Sequence, residues 1–209
     1  MCHQLDERSY HTARGPMPFC ARCTGIYAGV LVGVMVQCLA GAVRPPPRLS
    51  TGPIALASLL LFGVAIEALG ERSGWWTGSN ALRLLLGMLA GTAMGLVLIP
   101  LCRHFLQGGP EGTPAALLPA AATLAAPAGI LSACWMFPSL LSALTILSIA
   151  GLVALYLCLN LTLAGALVPA GVVNRNGLRP ILLAGLAAAL FAGEWLLFRY
   201  GKPQILTYK

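Results

Sequence analysis

The sequence predicts an all-α fold, a polytopic transmembrane helical bundle of about six spans, with an N-terminal Cys/His-rich cap. Three observations predict it. Of 209 residues, 58% are hydrophobic and only 9% are charged, against roughly 25% charged in a soluble domain. Mean hydropathy is +0.82. Apolar stretches near the ~20 residues needed to cross a bilayer recur along the chain. So few ionised side chains cannot cover a soluble surface. Strand-like alternation is absent, which leaves helices as the spanning element.

The chain divides into a polar segment, 1–24, and a bundle, 25–209. The polar segment carries Asp6, Glu7, Arg8, Arg14 and Arg22 and lacks the apolar stretch of a signal peptide. Spans are then expected at 26–43, 53–70, 82–101, 117–137, 139–168 and 180–198. The fourth is softened by Pro119 and Pro127. The fifth is long, holds Asn160, and reads either as one tilted helix or as a helix with a break. Short loops such as "RPPPRLSTGP" and "ERSGWWTGSN" join the spans, and Trp75–Trp76 in the second suits a membrane interface.

An even number of spans puts both termini on one side. That side holds Arg8, Arg14, Arg22, Arg72, Arg83, Arg199, Lys202 and Lys209, while Arg44, Arg48, Arg103, Arg175 and Arg179 lie opposite. The positive-inside rule then favours cytoplasmic termini in a multi-pass protein of the cell membrane. The net charge of +7 is scattered through these loops. It suits lipid headgroups and forms no dense patch for nucleic acid.

Two glycine stripes stand out: Gly25, Gly29 and Gly33 in the first span, and Gly87, Gly91 and Gly95 in the third. A four-residue step keeps each set on one helix face, where bare backbone allows close approach of a neighbour. The two spans are expected to pack against each other, or each tightly on another helix.

The strongest chemical signal is Cys20-x-x-Cys23, whose spacing lets both sulfurs reach one metal ion or act as a redox dithiol. Cys2 and His3 complete a Cys₃His set for zinc, with His11 as the substitute for His3. A cytoplasmic face favours metal over disulfide. Cys38, Cys102, Cys134 and Cys158 lie within or at the ends of apolar spans and are expected to pack as small hydrophobes.

Glu67 and Glu194 are carboxylates near span ends, and such groups face protein or water. Arg83 follows Asn80 by three residues on one helical face. Ser79 or Asn80 can cap that helix, but Arg83 sits at the unfavourable end of its dipole and needs a carboxylate or an anionic ligand. Glu67 and Glu71 are the nearest carboxylates in topology. Glu67, Arg83 and Glu194 are therefore the candidates for catalysis, and Asn80 and Arg83 for ligand binding.

The segments "CHQLDERSYH", "PFCARCTGIYAG" and "GSNALRLLLGMLAG" resemble the predicted membrane proteins grouped as DUF2085. The matching residues include Cys2, His3, Gln4, Glu7, Arg8, Ser9, Cys20, Arg22, Cys23, Asn80, Arg83 and Gly87. In "IEALGERSG", where the family carries an Asp-Gly pair and a Gln, Glu67 stands in the acid's place and Ala68 and Glu71 depart from the pattern. The resemblance implies a membrane protein and no activity.

Three function classes follow. The first is a zinc site at the membrane face, structural if closed by four ligands, or supporting hydrolysis of a lipid or peptide if a position stays open near Glu67 or Glu194. The second is a thiol-disulfide oxidoreductase using Cys20 and Cys23 with a quinone or partner protein. The third is a transporter or accessory subunit with a polar path for a small molecule at Glu67, Arg83 and Glu194.

Overall fold

The computed structural model describes residues 6–12, 15–43, 47–48, 51–107, 113–114, 123–137, 139–168, 183–190 and 192–193. Five helices have defined bounds: α1 (Ala21–Val43), α2 (Thr51–Arg72), α3 (Asn80–Gln107), α4 (Ala126–Met136) and α5 (Leu140–Leu167). Residues 183–190 form a sixth helical stretch. Among the described residues four stretches are long and apolar enough to cross a membrane: Ala21–Leu39, Thr51–Arg72, Asn80–Leu106 and Leu140–Leu167.

Of the expected spans, the fourth is described in part and the fifth is resolved. The described helix within 117–137 is α4, with 11 residues. Residues 117–122 of that expected span lie outside the described residues. Pro127 stands in the first turn of α4, the one helical position where a missing N–H costs nothing. The stretch at 139–168 has no break: α5 is one helix of 28 residues, about 42 Å long and so tilted in a bilayer or projecting from it.

α3 is the hub. Buried positions make up 61% of its apolar window, against 33% or less in the other three. α1 lies along α3 in parallel, and the two glycine stripes form the seam. A methyl group added at Gly25, Gly29 or Gly33 would collide with the carbonyl oxygens of Leu84, Met88 or Thr92. One added at Gly87, Gly91 or Gly95 would meet those of Arg22, Ile26 or Val30. Such backbone contact suits Cα–H···O bonds, worth about 0.5–1 kcal/mol each. Gln37 adds a hydrogen bond across the seam, its Nε2 donating to the Leu96 carbonyl at 2.9 Å.

α5 packs on the other side of α1. Gly151 meets the Tyr27 carbonyl, and Gly165 lies against Phe105 at the far end of α3. The starts of α1, α3 and α5 therefore share one face of the bundle, where Met17, Leu84, Met88, Cys134 and Leu144 form a buried cluster. α2 and α4 end at that face. At the opposite face Pro47–Arg48 pairs in parallel with Thr113–Pro114, joining the α1–α2 and α3–α4 connections.

Candidate functional site

The site is built where the N-terminal segment meets the ends of α2 and α3. His11–Thr12 and Gly15–Pro16 pair as a short antiparallel hairpin. Its turn is held by the Thr12 hydroxyl donating to the Gly15 carbonyl at 3.0 Å. Gly15 takes a φ of +118°, a backbone state that side-chain-bearing residues rarely adopt. The hairpin closes with Met17 N–H donating to the Tyr10 carbonyl at 2.9 Å. Met17 is then buried in the cluster with Leu84 and Met88. Burial first, and the Cys134 thiol second, push the Tyr10 phenol above its ordinary pKa. The cap is therefore docked on the bundle by packing.

α1 begins immediately after. Thr24 N–H donates to the Cys20 carbonyl at 2.9 Å, so Cys20 stands at the cap position and Cys23 in the first turn. Both are half-buried. Arg22 lies between them in sequence and turns toward α2.

α2 ends in a Schellman turn. Trp75 N–H donates to the Gly70 carbonyl at 2.9 Å and Gly74 N–H to that of Glu71 at 3.2 Å. Gly74 supplies the left-handed φ of +75° that this turn requires. The chain then doubles back so that the Trp76 ring lies on Gly70, where any side chain would collide with it. Ser79 caps α3, its hydroxyl accepting from Leu82 N–H at 3.2 Å. That frees the Asn80 side chain for other contacts.

Four helix-borne charges and one from the cap meet here. Glu67 belongs to the one buried stripe of α2, with Ala57, Val64 and Gly70, so it faces the bundle and not lipid. Arg22 holds its Oε2 through Nε at 3.0 Å and also through Nη2. The same Nη2 donates to Glu71 Oε2 at 3.2 Å. Arg83 clasps Glu71 with two parallel bonds, Nε to Oε2 at 3.0 Å and Nη2 to Oε1 at 2.6 Å. Its Nη1 donates to Asn80 Oδ1 at 2.6 Å. Asn80 Nδ2 in turn donates to the Glu7 carbonyl at 3.2 Å. Arg8 completes the set with a 3.0 Å ion pair to Glu71 Oε1.

The side chains of Glu67, Glu71 and Arg83 are 6–8% exposed, those of Arg22 and Arg8 20% and 38%. Charges this buried survive only when paired and hydrogen-bonded. One atom is not: Glu67 Oε1 is buried with no hydrogen-bond partner among the described residues. It lies 3.0 Å from the point a Cβ of Gly78 would occupy, with Glu71 Oε2 at 3.3 Å and Arg83 Nε at 3.4 Å from that point. Beside it opens a cleft of about 430 Å³, lined by Glu7, Arg8, Glu71, Gly74, Trp76, Thr77, Gly78, Asn80 and Arg83.

The sequence-derived residues divide as follows. Glu67, Asn80 and Arg83 come together in this network. Cys20 and Cys23 stand on the same face, at the start of the helix that carries Arg22. Cys2, His3 and Glu194 lie outside the described residues. Among the described residues no three His, Cys, Asp or Glu side chains are placed to hold a metal ion. Arg8 and Arg22 are the site residues that sequence reasoning missed. A signal existed: a carboxylate inside an apolar helix needs a cation, and the glycine seam sets the first turn of α1 beside Leu84 and Gly87.

The comparisons with known proteins fall on this part of the chain. A family model described as a predicted membrane protein matches residues 2–97, which contain every residue of the network. An uncharacterized protein of Methanothermobacter thermautotrophicus is 28% identical over 106 residues, 51% of this chain and 90% of that protein. Another, of Methanocaldococcus jannaschii, is 29% identical over 101 residues, 48% of this chain and 63% of that protein. No solved structure matches the chain. Over residues 2–97 the chain is thus similar to DUF2085, a family of predicted membrane proteins.

Proposed function

We propose that this membrane protein binds a polar small molecule in the cleft at the face of the bundle where its N-terminal cap sits. We propose further that zinc, held by Cys2, His3, Cys20 and Cys23, fastens that cap. The observation that carries the reading is the paired charge network of Arg8, Arg22, Glu67, Glu71 and Arg83 bordering an open cleft. Buried ion pairs are at best a weak source of stability. A network of this size at a cleft is therefore better accounted for by binding than by holding the fold.

The donor set suits zinc. Cys20 and Cys23 supply two thiolates one turn apart at a helix N-terminus, whose backbone amides favour negative charge. Bound there, zinc would supply a structural cross-link. A hydrolytic role draws less support, because Glu67 and Glu71 are held by guanidiniums and neither is free to act as a base at the thiols.

Metal analysis of the purified full-length protein, prepared under reducing conditions, tests the zinc assignment. One zinc per chain is expected in the wild type, and its loss in Cys20→Ser and Cys23→Ser. Metal-free wild-type protein would refute it. Reversible thiol oxidation during growth, seen as alkylation mass shifts, would favour the oxidoreductase class instead.

A further inference from the structure

Resting on the reading of the cleft as a ligand site, we propose that its ligand is an ammonium–phosphate zwitterion of the phosphoethanolamine type. Three features of the site select that chemistry. The first is the orphaned oxygen. Glu67 is 5% exposed, and its Oε1 meets no donor among the described residues. A buried carboxylate oxygen without a donor carries the full cost of its desolvation. Gly78 has no side chain to narrow the approach to it from the cleft. Glu71 Oε2 nearby already accepts from Arg22 and Arg83, so the unmet demand is that of Glu67 Oε1, an anionic acceptor that suits an ammonium and its N–H groups.

The second feature is charge balance. Among the residues that line the cleft, Glu7 and Glu71 stand against Arg8 and Arg83, and the Arg22–Glu67 pair behind them adds no net charge, so the site is neutral. A bare cation or a bare anion would leave it charged in a low-dielectric setting. A molecule that carries both charges would not. Arg8 is the half-exposed guanidinium at the cleft, with a single carboxylate pair, and its remaining donors suit phosphate oxygens. The third feature is depth. The cleft lies where α2 and α3 leave the apolar region, beside Trp75, which is 78% exposed. Tryptophan in that setting marks the headgroup level of a bilayer. Trp76 in the wall adds an aromatic face, which attracts ammonium groups.

Phosphoethanolamine exists free and as the headgroup of phosphatidylethanolamine, and the test separates the two. The full-length protein is placed in nanodiscs of pure phosphatidylcholine and titrated with phosphoethanolamine, ethanolamine, inorganic phosphate and glucose. Tryptophan fluorescence is read, with Trp76→Phe as the blank. A second set of nanodiscs contains phosphatidylethanolamine.

Saturable binding of phosphoethanolamine is expected, with ethanolamine and phosphate each about 10-fold weaker or more, the scale of one lost charge-assisted hydrogen bond. Glu67→Gln should weaken binding by a similar factor. Gly78→Ala, which leaves every charge in place and fills the space beside Glu67 Oε1, should weaken it as well. The second variant keeps the test decisive if the first does not fold. A response in phosphatidylethanolamine nanodiscs but not to the free compound assigns the ligand to lipid. The reverse pattern assigns it to a soluble metabolite.

Binding of phosphate or glucose as tight as that of phosphoethanolamine would overturn the zwitterion and leave the cleft a ligand site. Unchanged affinity in both Glu67→Gln and Gly78→Ala would overturn the role given to Glu67. No response to any of these probes, in either nanodisc, would overturn the zwitterion and the ligand cleft together.

Discussion

Arg22 is the side chain on which the network depends most directly. It satisfies the one charged oxygen of Glu67 that is satisfied at all, and it bridges to Glu71. Removing it leaves a buried carboxylate without a cation. Loss of one partner of a buried pair costs about 3–5 kcal/mol; Arg22 keeps 20% of its side chain exposed, so the lower end applies. Arg22→Ala should therefore lower unfolding stability in detergent by about 3 kcal/mol. The double variant Arg22→Ala/Glu67→Ala should regain a large part of that loss, because the stranded charge goes with its partner. Additive losses in the two single variants would show that the residues do not couple. Glu67 and Arg83 were legible in the sequence as ionisable groups inside apolar helices. Glu71 was legible as a partner for Arg83, whereas the partner of Glu67 was not, because Arg22 and Glu67 are 45 residues apart and only helix packing brings them together.

At the scale of elements, the glycine seam between α1 and α3 sets the register of the site. Six glycines at four-residue steps were visible in the sequence, and close packing was the physical reading of them. Their arrangement as parallel partners, with Gly25 beside Gly87 and Gly33 beside Gly95, follows from the single crossing, α2, that lies between them. The start of α4 was less legible. Hydropathy alone marks no boundary there, whereas the helix begins at Ala126 with Pro127 in its first turn, where a missing N–H costs nothing. A substitution pair tests the seam. At Gly91 an added methyl would enter the Ile26 carbonyl; at Gly63, within α2, it would meet nothing within 4 Å. Gly91→Ala should destabilise by about 1–3 kcal/mol, the usual cost of overpacking. Gly63→Ala should be neutral or gain up to about 1 kcal/mol from helix propensity. Thermal unfolding of both variants in one detergent is the measurement. Because Arg22 and Arg83 sit at the head of this seam, Gly91→Ala should also loosen the charge network, seen as a change in Trp76 fluorescence.

For the whole molecule, the placement of the network constrains topology. The cap, the α2–α3 loop and the starts of α1, α3 and α5 share one face, and the Pro47–Arg48 and Thr113–Pro114 pairing ties two connections together at the other. Whatever the orientation in the membrane, residues 73–79 and residues 47–48 must lie on opposite sides. The positive-inside count favours a cytoplasmic network side, and it counts arginines whether or not they are paired. The engagement of Arg8, Arg22 and Arg83 with carboxylates therefore does not remove them from the tally. Reporter fusions after Gly74 and after Thr113 test this. The first should give cytoplasmic signal only, as a fluorescent protein fusion. The second should give signal only as a phosphatase fusion, on the far side. Equal signals from the two sites would contradict the fold itself. Exchanged signals would keep the fold and invert the protein, placing Cys20 and Cys23 in an oxidising compartment. Disulfides persist there, so that outcome would shift the weight from zinc to thiol chemistry. Sidedness thus decides which chemistry the cap can sustain, while the neutral, half-buried cleft beside it stays the same in either orientation.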